Sequence, residues 1–281
     1  MTEQHRNTLR IARTIQTAVL TLVFALLSIP LNSQAQSKTP PLAGIAHVAI
    51  RVHDLAAARD FYAKLGFEEA FNLSKDGQVY ESFIKVNDHQ FIELYPVTPK
   101  DPNPGFLHLC FEGDDLQAIH DDYASRGLPP TPVRKAGAGN LLFTMVGPEK
   151  QNIEYTQYMP GSLHSNDQGK HLGEDRVADR LISVSLAMKD TTAARDFYIN
   201  QLNFKSIAGD QMFLHMPGDS GQEVEIAQPT LGTRARIILQ TQNLSKAARH
   251  LHKQQIDVTK TKDTITITDP DGNFILIDAR W

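Results

Sequence analysis

The chain has 281 residues, 41% of them hydrophobic and 21% charged, with a formal net charge of −4. This length accommodates two domains with separate cores, and the mildly acidic balance excludes a basic surface for nucleic acid. Cys110 is the only cysteine, which excludes an internal disulfide.

Arg6, Arg10 and Arg13 precede an apolar run at residues 18–29, followed by Ser33, Gln34 and Ala35. A basic start, an apolar middle and small residues at a cleavage point form the layout of a secretory signal. The run is shorter than the roughly 20 residues of a spanning helix. The expectation is therefore a signal peptide at residues 1–35 and a mature protein that is periplasmic or secreted and free of the membrane after cleavage. An uncleaved anchor is the alternative. Residues 36–43, QSKTPPLA, are a polar, proline-bearing lead-in expected to be poorly ordered.

Residues 44–67, GIAHVAIRVHDLAAARDFYAKLGF, return in altered form at residues 180–204, RLISVSLAMKDTTAARDFYINQLNF. Internal repetition of this kind fixes an architecture. In the first copy a strand places Ile45, His47, Ala49 and Arg51 on one face, opposite Ala46, Val48, Ile50 and Val52. Asp54 suits the N-cap of a helix carrying Leu55, Ala58, Tyr62 and Leu65, and Gly66 suits its end. Strands are expected near residues 68–73, 78–86 and 90–97, with Glu93 and Tyr95 sharing a face of the last.

The order of strand, helix and three strands begins again at Phe106, where Phe106, His108 and Cys110 share a face. Asp115 precedes the helix, and strands are expected near residues 132–135, 140–146 and 152–158. The last of these carries Glu154 at the place of Glu93. Residues 160–179 are polar and aperiodic and are expected to be an interdomain linker with solvated His164 and His171. Two further units follow at residues 181–228 and 236–278.

His47, Glu93, His108 and Glu154 thus occupy the first and last strands of the first two units. Buried carboxylates are costly unless paired or bound to a cation, and imidazole with carboxylate is a ligand set for divalent first-row metals. In the second half, Ser183, Glu225, Arg236 and Leu276 stand at the corresponding places and cannot complete such a set.

The motifs GIAHVAIRVHDLAAARDFYAKLGF, FIELYP at residues 91–96, FLHLCFEGDDL at residues 106–116 and GPEKQNIEYTQ at residues 147–157 resemble the vicinal oxygen chelate superfamily. Its members include glyoxalase I, bleomycin resistance proteins and extradiol dioxygenases. The resemblance implies an α+β fold of two tandem domains, each made of two βαβββ modules wrapped into a half-open barrel. It divides the chain into an N-terminal domain with a metal site, residues 44–159, and a degenerate domain without one, residues 180–281. It further implies a divalent ion (Ni, Zn, Mn, Co or Fe) on His47, Glu93, His108 and Glu154, with Glu154 as the catalytic base.

Arg51, Tyr95 and Phe106 are candidate substrate contacts on the same face, and a surface ion pair is the competing reading of Arg51. The function expected is a glyoxalase-like lyase or isomerase acting on a small molecule through adjacent oxygens. An extradiol-type dioxygenase and a non-enzymatic ligand-binding or resistance protein are the alternatives. Module pairing within one chain and exchange across a homodimer both satisfy the same four residues.

Overall fold

The computed structural model describes residues 40–230, 232 and 234–280; the expected signal segment lies outside the described residues. No helix among the described residues is long and apolar enough to cross a membrane. The repeats become two eight-stranded sheets.

The first sheet begins with β1 (Gly44–Val52) and α1 (Leu55–Lys64). The Asp54 side chain accepts the Ala57 amide and caps the helix. At the other end Gly66 has φ +82°, and an added Cβ there would stand 2.5 Å from the backbone of Asp175, so only glycine permits this crossing. Three strands return the chain: β2 (Glu68–Lys75), β3 (Gln78–Asn87) and β4 (Gln90–Pro96). The second module repeats this as β5 (Gly105–Glu112), α2 (Leu116–Ser125), β6 (Arg134–Lys135), β7 (Leu141–Val146) and β8 (Asn152–Gln157).

The strand order is β2-β3-β4-β1-β5-β8-β7-β6. β1 runs parallel to β4 and antiparallel to β5, and β5 runs parallel to β8. The module-starting strands therefore lie at the centre, flanked by the module-ending ones. This places the four ligand-bearing strands side by side.

After α3 (Leu163–Asn166), the second sheet repeats the pattern with β9 (Arg180–Ala187), α4 (Thr191–Asn200), β10 (Lys205–Ser206), β11 (Phe213–His215), β12 (Glu223–Ala227), β13 (Arg236–Gln240), α5 (Leu244–Lys253), β14 (Thr259–Lys260), β15 (Thr264–Thr268) and β16 (Phe274–Asp278). Its order, β10-β11-β12-β9-β13-β16-β15-β14, is that of the first sheet. Asp115, Asp190 and Asn243 cap their helices as Asp54 does. The aliphatic faces of both sheets pack on these helices in one continuous apolar cluster.

The polar segment between the sheets differs from the expected solvated linker. Lys85, with a fully buried side chain, reaches Asp167 at 2.8 Å and Asp88 at 2.9 Å, and donates also to the Asp167 carbonyl. A buried ammonium held by two carboxylates pins this segment to β3. His164 is only 4% exposed. Aperiodicity misled here because the segment is fixed by single tertiary contacts rather than by a repeating apolar face. The end of the lead-in is likewise packed, with Leu42 buried in the core.

Two glutamines join the sheets. Gln90 donates to the carbonyls of Ile45 and Leu181 and accepts the Leu181 amide, while Gln222 accepts the Ile45 amide and donates to Leu181. Each amide thus satisfies the start of both central strands in a buried place. Gln90→Leu should remove the partner of the Ile45 carbonyl and of the Leu181 amide, while Gln222 keeps the Leu181 carbonyl, and lower stability by about 1–3 kcal/mol, read as a shift in the denaturant midpoint.

Candidate metal centre

Strand alternation alone brings the expected donors together. β1 pairs Ala49 with Glu93 and with His108, and His47 with Cys110, which in turn faces Glu154. His47 Nε2 lies 3.1 Å from His108 Nε2 and 3.8 Å from Glu154 Oε2, and His108 Nε2 lies 3.4 Å from Glu154 Oε2 and 3.8 Å from Glu93 Oε2. Ligands bound at about 2.0–2.2 Å to one ion at right angles stand roughly 3 Å apart, so the His47–His108 and His108–Glu154 spacings suit neighbouring positions on a cation; two overlapping groups share His47, one with Glu93 and His108 and the other with Cys110 and Glu154.

The electrostatics agree with that fit. Burial, then the nearby His108 and His164, hold the His47 imidazole well below its ordinary range, and burial, then Arg51, brings His108 down to about 3. Both rings are therefore neutral, with lone pairs to offer. Burial, then Glu81 and Glu154, raises Glu93 well above the usual carboxylate range, and burial raises Glu154 to about 7. His47 Nδ1 is buried without a hydrogen bond, although Glu93 Oε1 stands 3.0 Å away, because the two are not aligned for one. Neutral imidazoles beside carboxylates that burial pushes towards protonation, with one ring nitrogen orphaned, are a donor set suited to a cation. Cys110 is fully buried, and its thiol is pushed up by burial.

His47, Glu93 and Glu154 open into a cavity of about 210 Å³. Tyr95 lies on its wall, with its hydroxyl 2.6 Å from Glu81 Oε1 and 3.0 Å from Glu93 Oε2; one hydroxyl proton serves one of these carboxylates at a time. Arg51 pairs with Asp101 at 3.5 Å, as the ion-pair reading anticipated, and does not line the cavity.

Phe106 requires a correction. A register shift pairs Ala49 with His108 but Ile50 with Phe106, leaving Leu107 as an extra residue. A bulge of one residue reverses which face the side chains take. Phe106 accordingly joins Ile50 on the core face and lines a different crevice, with Gln151 and Met188.

Glu81 and His164 are among the residues of the cavity wall that escape the sequence reading. Glu81, mostly buried and raised by that burial, sits beside Tyr95; it lies between the exposed Tyr80 and the buried Ser82, so no alternation marks it. His164 packs against Phe71, Phe83 and Phe91 and stacks on Tyr158. The Asn140 amide oxygen takes the Met159 amide, so its nitrogen donates to His164 Nδ1 at 2.8 Å. Burial brings His164 down to about 3, and the neutral ring therefore carries its proton on Nε2.

The second sheet repeats the register with other chemistry. Ser183 faces Glu223 and Ile238 where His47 faces Phe91 and Cys110, Glu225 and Arg236 face Ser185 where Glu93 and His108 face Ala49, and Leu276 stands opposite Ile238 where Glu154 stands opposite Cys110. Arg236 Nη1 donates to both oxygens of Glu225 at 2.6 Å. Among the described residues, groups able to hold a metal ion are found only in the first sheet.

A sequence model of the Glyoxalase/Bleomycin resistance protein/Dioxygenase superfamily matches residues 46–144. The match to this, the vicinal oxygen chelate superfamily, begins in β1, ends within β7 and leaves out β8 with Glu154, while both sheets have the fold expected of that superfamily. No curated protein matches the chain in sequence. The Mn(II)-bound glyoxalase from Novosphingobium aromaticivorans is similar in structure at a TM-score of 0.64 and 14% identity, over 85% of this chain and 82% of that one. The homoprotocatechuate 2,3-dioxygenase from Brevibacterium fuscum, in complex with 3,4-dihydroxyphenylacetate, is similar at 0.62 and 17%, over 87% and 82%. The 2,3-dioxygenase LapB from Pseudomonas sp. KL28 is similar at 0.61 and 15%, over 86% and 93%. At these identities the likeness is one of vicinal oxygen chelate fold.

Proposed function

We propose that the chain is an exported, metal-dependent enzyme of the glyoxalase-like lyase or isomerase kind, acting on a small molecule through two adjacent oxygens. The convergence of two neutral imidazoles and two carboxylates in one buried site carries this reading. A divalent first-row ion suits these donors, and Mn(II) is the metal named for the structurally similar glyoxalase. When bound, such an ion supplies Lewis-acid polarisation of substrate oxygens.

The residues divide the remaining work. His47, Glu93 and His108, at most 6% exposed, hold the ion, and Tyr95 steadies Glu93. Glu154 is the most exposed of the four, its side chain 15% accessible. Asn152 approaches its Oε1 at 3.4 Å, while Oε2 faces the histidines. With its carboxyl raised to about 7 by burial, Glu154 is suited to take a proton from carbon beside a carbonyl and return it near neutral pH. The mature protein would work in the periplasm or outside the cell, with monomer and homodimer distinguished by sedimentation.

Elemental analysis of the purified protein should find a divalent first-row metal stoichiometric with the chain. Deuterium exchange into α-hydroxycarbonyl compounds, followed by NMR, should depend on that metal. A protein that neither contains nor binds metal would overturn the reading.

One observation supports a second reading. Glu93 is engaged by Tyr95 and lies closer to Nδ1 than to the cavity side of His47, so His47 Nε2, His108 Nε2 and Glu154 Oε2 form a two-histidine, one-carboxylate face. That face is the ligand set of non-haem iron oxygenases. Iron in the purified protein, with oxygen uptake on catechols, would move the assignment to an extradiol-type dioxygenase.

A further inference from the structure

The second sheet has a cavity of about 370 Å³ at the place where the first sheet gathers its metal donors. Two guanidiniums, those of Arg234 and Arg236, and one carboxylate, Glu225, line it. Glu225, 1% exposed, is already neutralised, since Arg236 Nη1 donates to both its oxygens and the Ser185 hydroxyl donates to it as well. The rest of the Arg236 guanidinium has no protein partner among the described residues, and its side chain is 33% exposed.

Arg234 has no acidic partner among the described residues. Its side chain passes over the turn before β16, where an added Cβ on Gly272, at φ +80°, would stand 2.9 Å from Arg234 Nε. Met212, Ile226, Ala187 and Ala227 supply apolar wall, while Thr230 adds a hydroxyl. A neighbouring crevice of about 390 Å³ shares Ser185, Ala187 and Arg234 and carries both Lys150 and Glu149.

We propose that this second cavity binds a small organic carboxylate, with its oxygens on Arg234 and the free edge of Arg236 and its carbon body against Met212 and Ile226. Guanidinium donors match the planar, two-oxygen edge of a carboxylate. The apolar wall distinguishes an organic anion from a bare inorganic one. Because Glu225 already balances Arg236, the cavity keeps one unbalanced positive charge, which favours a monoanion. This site lies in the other sheet from the metal centre and does not rest on the function proposed for it.

Calorimetric titration of the full chain with benzoate, benzamide and inorganic phosphate tests it. Saturable binding of benzoate and none of benzamide is expected, with phosphate weaker than benzoate. Arg234→Gln should weaken benzoate by about tenfold or more, from the loss of charge-assisted hydrogen bonds. Thr230→Asp, which keeps both guanidiniums but adds a like charge, should do the same, and both positions are exposed enough for the fold to survive. Benzoate should bind His108→Ala as it binds the unmodified protein. No benzoate binding, binding unchanged in both cavity variants, loss of binding in His108→Ala, or phosphate as tight as benzoate would each overturn the proposal.

Discussion

His108→Ala is expected to emerge from purification without metal, its affinity for a divalent ion reduced more than the roughly 10–100-fold that loss of a merely supporting partner causes. His108 Nε2 lies within 3.8 Å of donor atoms from all three other residues. Removing it takes away one of the two nitrogen donors and leaves His47 as the only imidazole among the four residues. The fold should persist, because Leu109 and Phe111, which anchor β5 in the core, point to the other side. Elemental analysis and calorimetric titration with Mn(II) read the effect, and circular dichroism checks the fold. Full metal content in His108→Ala would overturn the site.

Glu154→Gln should behave differently, keeping metal but losing turnover by about 10²–10⁴-fold, the usual contribution of a positioned general base. The amide keeps an oxygen of the same reach, so an ion held by His47, Glu93 and His108 retains a fourth donor. It cannot accept a proton at neutral pH. The assay is proton exchange at carbon in deuterated water, with metal content measured on the same sample. Equal loss of metal in Glu154→Gln and His47→Ala would overturn the division of roles between Glu154 and the other three.

The architecture was legible because each element announces itself locally and does so repeatedly. The strand at Ile45 alternates, Asp54 and its counterparts cap helices, and Gly66 ends one. Two copies of such a pattern leave little freedom in topology. The four donors came together for the same reason: residues two apart on neighbouring central strands share a face.

What the sequence hid depends on tertiary contact or on a break in the period. Phe106 changed face through one extra residue, Leu107, which alternation cannot foresee. His164 lies in an aperiodic stretch and is buried only because Asn140 and four aromatic rings surround it. Glu81 is drawn into the cavity by Tyr95 from another strand.

Arg236 gives the two sheets different relations to their surroundings. It places a permanent cation at the register position of His108, against the carboxylate that corresponds to Glu93. A guanidinium attached to the chain cannot be chelated, diluted or exchanged, whereas an ion in the first sheet would come and go with its supply. Chelation should therefore soften one sheet and spare the other, so that hydrogen exchange in β1, β4, β5 and β8 would follow the metal content of the medium while β9, β12, β13 and β16 would not. The duplicated architecture would thus contain one half that senses its environment and one that is indifferent to it.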